Sequence, residues 1–201
     1  MRLFAGRYGA ALAKRAAEGT LRSTTVRTET LIDFASNDYL GVAHNTSFAA
    51  AHFAAEARRA DAAAGSTGSR LLTGASREHD AFEAFAASFH ERESALLFGS
   101  GYAANSAVAA TLPLPNDTIL YDERSHNSTR FGLKRSRALR QISWKHNDVD
   151  DLRVKLRDHD GALVFVEGIY SMDGDEAPLR DLAELCLEDG RAGLILSLIH
   201  I

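Results

Sequence analysis

A chain of 201 residues, 45% hydrophobic and 25% charged, has ordinary globular composition and is long enough to bury a substantial core, so disorder is not expected. Its formal charge of −4 combines 19 arginines and 4 lysines with 27 acids; this mixture has no one-signed field, so neither nucleic acid nor a membrane is an expected partner, and small-molecule chemistry is favoured. Cys186 is the single cysteine, which excludes an internal disulfide and a multi-cysteine zinc site and fits a reducing, cytoplasmic compartment.

Residues 1–23 alternate charges with alanines and lack the continuous apolar core of a signal peptide, so they read as an amphipathic surface helix, with an organelle transit peptide, suggested by Arg2, Arg7, Lys14 and Arg15, as the alternative. A short strand is expected over 31–34, running into the polar turn Ser36-Asn37-Asp38-Tyr39-Leu40-Gly41, and an alanine-rich helix over about 47–60. The stretch 65–74 is too rich in glycine and hydroxyls for regular structure and too specific for a linker; it reads as a functional loop. From 78 to 90, Phe82, Phe85, Ala86 and Phe89 recur at helical spacing, which predicts a helix whose aromatic face packs on a sheet.

Apolar runs at 95–98, 118–121 and 162–166 are each followed by a stretch of helical pattern. Such alternation predicts βα units and a mainly parallel sheet, hence an α/β fold. The last helix should begin beside Pro178, bury Leu179, Leu182, Ala183 and Leu185, and end at Gly190, with a further strand starting near Ala192. No internal repeat and no linker divides the chain.

Three polar clusters follow three of the predicted strands, at the edge where open α/β sheets place their ligands. Phe98-Gly99-Ser100-Gly101-Tyr102-Ala103-Ala104-Asn105 turns a strand into a helix, whose first N–H groups can hold a phosphate, although such turns also serve as plain connections. Tyr121-Asp122-Glu123-Arg124-Ser125-His126-Asn127-Ser128 offers a histidine whose flat ring can stack on an aromatic cofactor or simply cap a helix. Glu167-Gly168-Ile169-Tyr170-Ser171-Met172-Asp173-Gly174-Asp175 offers Ser171 as a donor to a phenolate oxygen; its Met-Asp-Gly-Asp turn lacks the alternating ligands and terminal glutamate of a calcium loop, so no metal site is expected.

Together with residues 33–41, the 65–70 loop and His146-Asn147-Asp148, these clusters resemble, in order and spacing, the α-oxoamine synthase family of pyridoxal-phosphate-dependent acyltransferases. The resemblance covers roughly residues 8–192 and implies the fold-type I architecture, helices on both faces of the sheet, pyridoxal 5′-phosphate as cofactor, and a homodimer with its active site at the interface. By position it implies that His126 stacks on the pyridine ring and, when protonated, assists a carbonyl. Ser100, Gly101 and Tyr102 would lie at the phosphate, and Ser171 would bond the phenolic oxygen. Asn37, Arg22, Gly68 and Ser69 would meet the substrates, Arg22 through a carboxylate.

The implied reaction is decarboxylative condensation of an amino acid with an acyl thioester carried on coenzyme A or an acyl carrier protein. L-Alanine with a pimeloyl thioester, the biotin-pathway pairing, is the first expectation; members using glycine or serine, and a non-catalytic accessory subunit, are the alternatives. In the family the strand after Gly190 ends in an Asp-Glu-Ala-His-type segment whose Asp pairs with the pyridine nitrogen, whereas residues 192–201 of this chain contain no acid. None of Lys14, Lys134, Lys145 or Lys155 stands in the context of the family's Schiff-base lysine. The expected organisation is therefore an N-terminal helix and short strand over 1–45, part of a cofactor-binding large domain over 46–192, and a non-native tail over 193–201, with no synthase turnover by these residues alone.

Overall fold

The structure is a computed structural model and describes residues 2–24, 32, 34, 36–43, 45–57, 65–159 and 161–198. The chain divides into two compact units, Met1–Ala49 and Ala50–Ile201. The strand expected over 31–34 lies partly outside the described residues.

In the first unit, α1 (Arg2–Ala17) carries Lys14 one turn before Glu18, 3.7 Å apart on an exposed face. The polar turn is organised by Asp38, whose carboxylate accepts from the N–H groups of Val42 at 2.8 Å and Ala43 at 3.0 Å. Asn45 then caps α2 (Thr46–Ala57) by accepting from Phe48 N–H at 2.9 Å. This matches the expected alanine-rich helix, whose last expected residues, 58–60, are not among those described.

The second unit contains a four-stranded, wholly parallel sheet. In chain order it runs α3 (Arg77–Phe89), α4 (Gly101–Thr111), β1 (Thr118–Asp122), α5 (Asn127–Leu133), β2 (Arg140–Trp144), α6 (Val149–Asp158), β3 (Leu163–Glu167), α7 (Leu179–Asp189) and β4 (Gly193–Ser197). The sheet order is β2-β1-β3-β4, with Leu120 opposite Ile142 on one side and Val164 on the other.

Alternation along the strands sends successive side chains to opposite faces. Leu120, Trp144, Val164 and Val166 face Leu152 and Leu156 of α6 and Leu182, Leu185 and Cys186 of α7. Ile119 and Phe165 face Ala109 of α4 and Leu133 of α5. Helices therefore cover both faces, which is why β1 and β3 read as nearly continuous apolar runs. Cys186 is a core thiol, its pKa pushed up to about 11 by burial and then by Asp189.

The helices on the second face meet closely at Gly132, where a Cβ would lie 2.5 Å from the carbonyl oxygen of Ser106. Asp148 accepts from Asp151 N–H at 2.9 Å to start α6, and Pro178 and Gly190 bound α7 as the sequence predicts. Among the described residues no helix is long and apolar enough to cross a membrane.

Two expectations fail. Residues 95–98 are not a strand: the Leu97 N–H donates to a Glu83 carboxylate oxygen at 2.8 Å, and Leu96 is 66% exposed. A short apolar run becomes a strand only when a neighbouring strand takes its backbone groups. Nor does the aromatic face of α3 pack on the sheet: Phe82, Phe85 and Phe89 are 49%, 62% and 70% exposed, and α3 buries no residue. Edge strand β2, with mostly exposed residues up to Trp144, was not read from the sequence.

Candidate active site

The connection leaving β1 goes to α5 on one face of the sheet, and that leaving its neighbour β3 goes to α7 on the other. Divergent exits open a crevice between the carboxyl ends of β1 and β3. Asp122 and Glu167 end these two strands, both buried, and both carboxylates accept backbone N–H groups of the turn beyond β1, from Arg124 and His126 respectively.

His126 is the N-cap of α5, and its backbone N–H donates to the Glu167 carboxylate. Its ring Nδ1 accepts from Ser128 N–H at 3.2 Å and lies 2.7 Å from Ser128 Oγ. The Asn105 amide of α4 donates to that same Oγ at 3.1 Å and to Ser197 Oγ, at the end of β4, at 3.0 Å. With Ser128 Oγ accepting from Asn105, its proton is available for His126 Nδ1. An Nδ1 used as acceptor leaves the ring proton on Nε2.

Ser100 caps α4, accepting from Ala103 N–H at 3.1 Å. The first N–H groups of a helix have no partner inside it, so Gly101 and Tyr102 present backbone donors at this end. The Tyr102 ring meets His126 edge-on, with centroids 6.3 Å apart, and its hydroxyl accepts from Asn127 Nδ2 at 3.3 Å. Ser100, Gly101, Tyr102 and His126 are thus brought to one edge.

Beyond β3, Ile169 bridges Glu176 and holds the intervening residues in a turn; Ser171 lies exposed on it, while Tyr170 is buried. Burial, followed by the nearby Asp122 charge, pushes the Tyr170 phenol above its ordinary range. The residue of this segment that touches His126 is Glu167 rather than Ser171.

His146, just past β2, lies between the other two exits. Nδ1 is 2.9 Å and 3.1 Å from the Asp122 oxygens and Nε2 is 2.6 Å from Asp175. Burial alone would lower the pKa of this histidine, but the two carboxylates outweigh it and the net shift is upward. Asp175 moves the other way: burial pushes it up, and the hydrogen bond from His146 overcomes that and holds it below the usual carboxylate range.

Gly68 and Ser69 lie on the 65–74 loop, which is tied from within. Thr67 Oγ1 donates to the Thr73 carbonyl at 2.7 Å, and a Cβ on Gly74 would strike the Gly68 carbonyl oxygen at 1.9 Å. Arg70 makes a two-pronged contact with Glu83 at 2.7 Å and 3.0 Å, and Glu83 also holds Leu97 N–H. These contacts link the loop to the segment entering Ser100. The Arg70 guanidinium, then the Leu97 N–H, hold the Glu83 carboxyl at about 2. Arg22 and Asn37 are exposed residues of the first unit.

Sequence reading assigned no role to Asn105, Ser128, Glu167, Asp122 or His146. Their signal was present as polar residues at strand ends and on the buried side of helices, but it identifies no partner until the sheet order is known.

The aminotransferase class I and II family matches residues 29–196, and the chain belongs to that family. Its architecture is that of the fold-type I enzymes, as the family resemblance implied. Among curated relatives, the 8-amino-7-oxononanoate synthase of Cellvibrio japonicus is 42% identical over 163 residues, covering 80% of this chain and 40% of the relative. A putative 8-amino-7-oxononanoate synthase of Bacillus licheniformis is 38% identical over 192 residues, covering 94% and 49%. The chain therefore spans at most about half the length of these relatives.

A serine palmitoyltransferase from S. paucimobilis, solved with a bound PLP–myriocin adduct, matches with TM-score 0.76 and 26% identity over 93% of this chain and 50% of its own. An 8-amino-7-oxononanoate synthase from Francisella tularensis matches with TM-score 0.60 and 29% identity over 83% and 44%.

Proposed function

We propose that the carboxyl edge of this sheet is the pyridoxal 5′-phosphate site of an α-oxoamine synthase that condenses L-alanine with a pimeloyl thioester, on coenzyme A or an acyl carrier protein, to give 8-amino-7-oxononanoate. The observation carrying the reading is the His126 ring, held by Ser128 and Asn105 beside the capped start of α4, at the crevice between β1 and β3. The residues fit the group: a flat ring for a pyridine, N–H donors for a phosphate and a hydroxyl turn for a phenolic oxygen.

On this reading Gly101 and Tyr102, positioned by Ser100, hold the phosphate through backbone N–H groups. His126 lies against the pyridine and directs its Nε2 proton at the thioester carbonyl; one proton on Nε2 suffices for that task. Ser171 donates to the phenolic oxygen. The Gly68–Ser69 backbone admits the acyl chain closely, and Asn37 and Arg22 bind the amino-acid substrate, Arg22 at its carboxylate. When bound, the cofactor supplies an electron sink for the carbon that loses carbon dioxide. The assembly is a homodimer in the cytoplasm.

None of the four lysines suits covalent attachment; Lys155, for example, pairs with Asp151 at 2.6 Å. On this reading the residues described hold the cofactor without a covalent link. Calorimetric titration with pyridoxal 5′-phosphate tests the site: the parent should bind, and His126→Ala should weaken binding about tenfold, a loss of about 1.4 kcal/mol. Equal binding by both overturns the assignment.

The likeness to serine palmitoyltransferase supports a second reading, serine with a long acyl thioester. A panel of alanine, glycine and serine with short and long thioesters, run on the gene's full product, separates the two.

A further inference from the structure

The three loops leaving β1, β2 and β3 converge on one imidazole. His146 follows β2, an edge strand, yet its ring reaches Asp122 at the end of β1 and Asp175 beyond the end of β3. Its backbone N–H also reaches Glu123 Oε1 at 3.3 Å, and its ring meets Tyr170 edge-on, with centroids 4.5 Å apart. Asn147 repeats the connection one residue on, its N–H donating to Asp122 at 3.0 Å and its amide to Asp175 at 2.8 Å. Asn147 holds φ at 54°, a left-handed conformation that costs an asparagine less than most residues.

Asp122 is fully buried and also accepts from Arg124 N–H at 2.7 Å, so its carboxylate shapes the turn that ends in His126. Asp175 is at the far end of the turn that carries Ser171, where its carbonyl accepts from Tyr170 N–H at 3.0 Å. The Arg124–Asp173 ion pair joins the same two turns, but both side chains are about half exposed, so solvent weakens it.

A neutral imidazole has one N–H. With a carboxylate oxygen beside each ring nitrogen, one contact would then set a lone pair against an anion unless a proton sits elsewhere. Two N–H donors, which only the imidazolium has, satisfy both contacts.

We propose that His146 is a positioning residue: as an imidazolium donating to Asp122 and Asp175 at once, it holds the β1 exit turn that carries His126 in register with the β3 exit turn that carries Ser171. The clamp deepens the cofactor-site reading and rests on it for its consequence, the spacing of the two side chains that would hold the pyridoxal ring. The charged and titratable groups against the ring are Asp122 from the β1 exit and Tyr170 and Asp175 from the β3 exit; Glu123 meets the backbone N–H of His146, and Lys145 and Asp148 are its charged neighbours along the chain. Behind them, Asp151 of α6 accepts from Lys145 N–H at 2.8 Å and pairs with Lys155.

The test is nitrogen-detected NMR of the histidine rings together with amide hydrogen exchange, on the parent chain, Asp175→Asn and His146→Gln, from pH 5.5 to 9.5. The clamp predicts that both His146 nitrogens are protonated at pH 7 in the parent, and that Asp175→Asn moves the titration down by at least one pH unit. It also predicts that either substitution, or deprotonation of His146, speeds exchange about tenfold in residues 123–126 and 170–175 together, while β4 and α7 keep their protection as the control for folding. A single neutral tautomer at pH 7, a titration unmoved by Asp175→Asn, or loosening of one turn without the other overturns the proposal.

Calorimetry separates this from the cofactor reading. The same variants should bind pyridoxal 5′-phosphate about tenfold more weakly while inorganic phosphate binding is unchanged, because the start of α4 lies outside the clamp. A parent that binds no pyridoxal 5′-phosphate removes the cofactor reading and leaves the clamp to be decided by NMR and exchange. Binding that is equal in parent and variants removes the positioning role alone.

Discussion

Two carboxylates in the second unit each gather backbone and side-chain donors from distant segments, in very different surroundings. Asp122 sits fully buried at the end of a central strand, with core on both sides of the sheet behind it. Glu83 sits on α3, a helix with no buried residue, and ties Arg70 and Leu97 to a segment whose apolar side chains face outward. The motif is the same, but one node tightens a packed scaffold while the other substitutes for packing that is absent among the described residues. Removing the first should therefore disturb the whole unit, and removing the second should disturb one loop.

The largest effect expected is from Asp122→Ala. It leaves the Arg124 and Asn147 N–H groups and a His146 nitrogen without their acceptor, and should cost about 3–5 kcal/mol of unfolding free energy. Urea denaturation followed by the fluorescence of Trp144, the single tryptophan and a buried one, measures this directly. A loss under 1 kcal/mol would place the two nodes on one footing.

Next is Leu182→Ala, which opens a cavity between α7 and the sheet and should cost about 3 kcal/mol in the same assay. It calibrates the polar node against plain packing.

The pH dependence of the nodes has opposite signs. His146 has a raised folded pKa, so its contribution is complete below the ordinary histidine value and is lost as pH rises through the folded value. Glu83 has a depressed one, so its contribution is present above the ordinary glutamate value and is lost as pH falls toward about 2. Thermal melting should weaken on the alkaline side for the parent and not for His146→Gln. Pepsin cleavage within 65–74 should accelerate between pH 4 and 2 in the parent, and Glu83→Gln should be cleaved rapidly throughout.

Phe85→Ser should have the smallest effect, within about 0.5 kcal/mol, because the ring is already exposed. A larger loss would mean that α3 packs more tightly than its surface shows.

These contrasts track what could be read in the chain. The apolar runs of β1 and β3 were legible because burial on both faces leaves little room for polar residues, and the bounds of α7 were legible because Pro178 and Gly190 act locally. The run at 95–98 and the face of α3 carry the same local patterns without the tertiary partners that such patterns imply. At the site, Ser100, Gly101, Tyr102 and His126 were read from short motifs, and the structure brings them to one edge. Asp122, His146 and Asp175 lie on three separate turns, and no spacing along the chain reveals that β1 lies between β2 and β3.

By itself the sequence determined the α/β class, the family and the polar clusters after the strands, because hydrophobic period, helix caps and short motifs are local properties of a chain. Only the tertiary structure decided which clusters face one another and which side chains hold the His126 ring. It also decided that one imidazole spans three exits, because hydrogen bonds between distant turns depend on strand order and register, and these are set by packing the whole sheet.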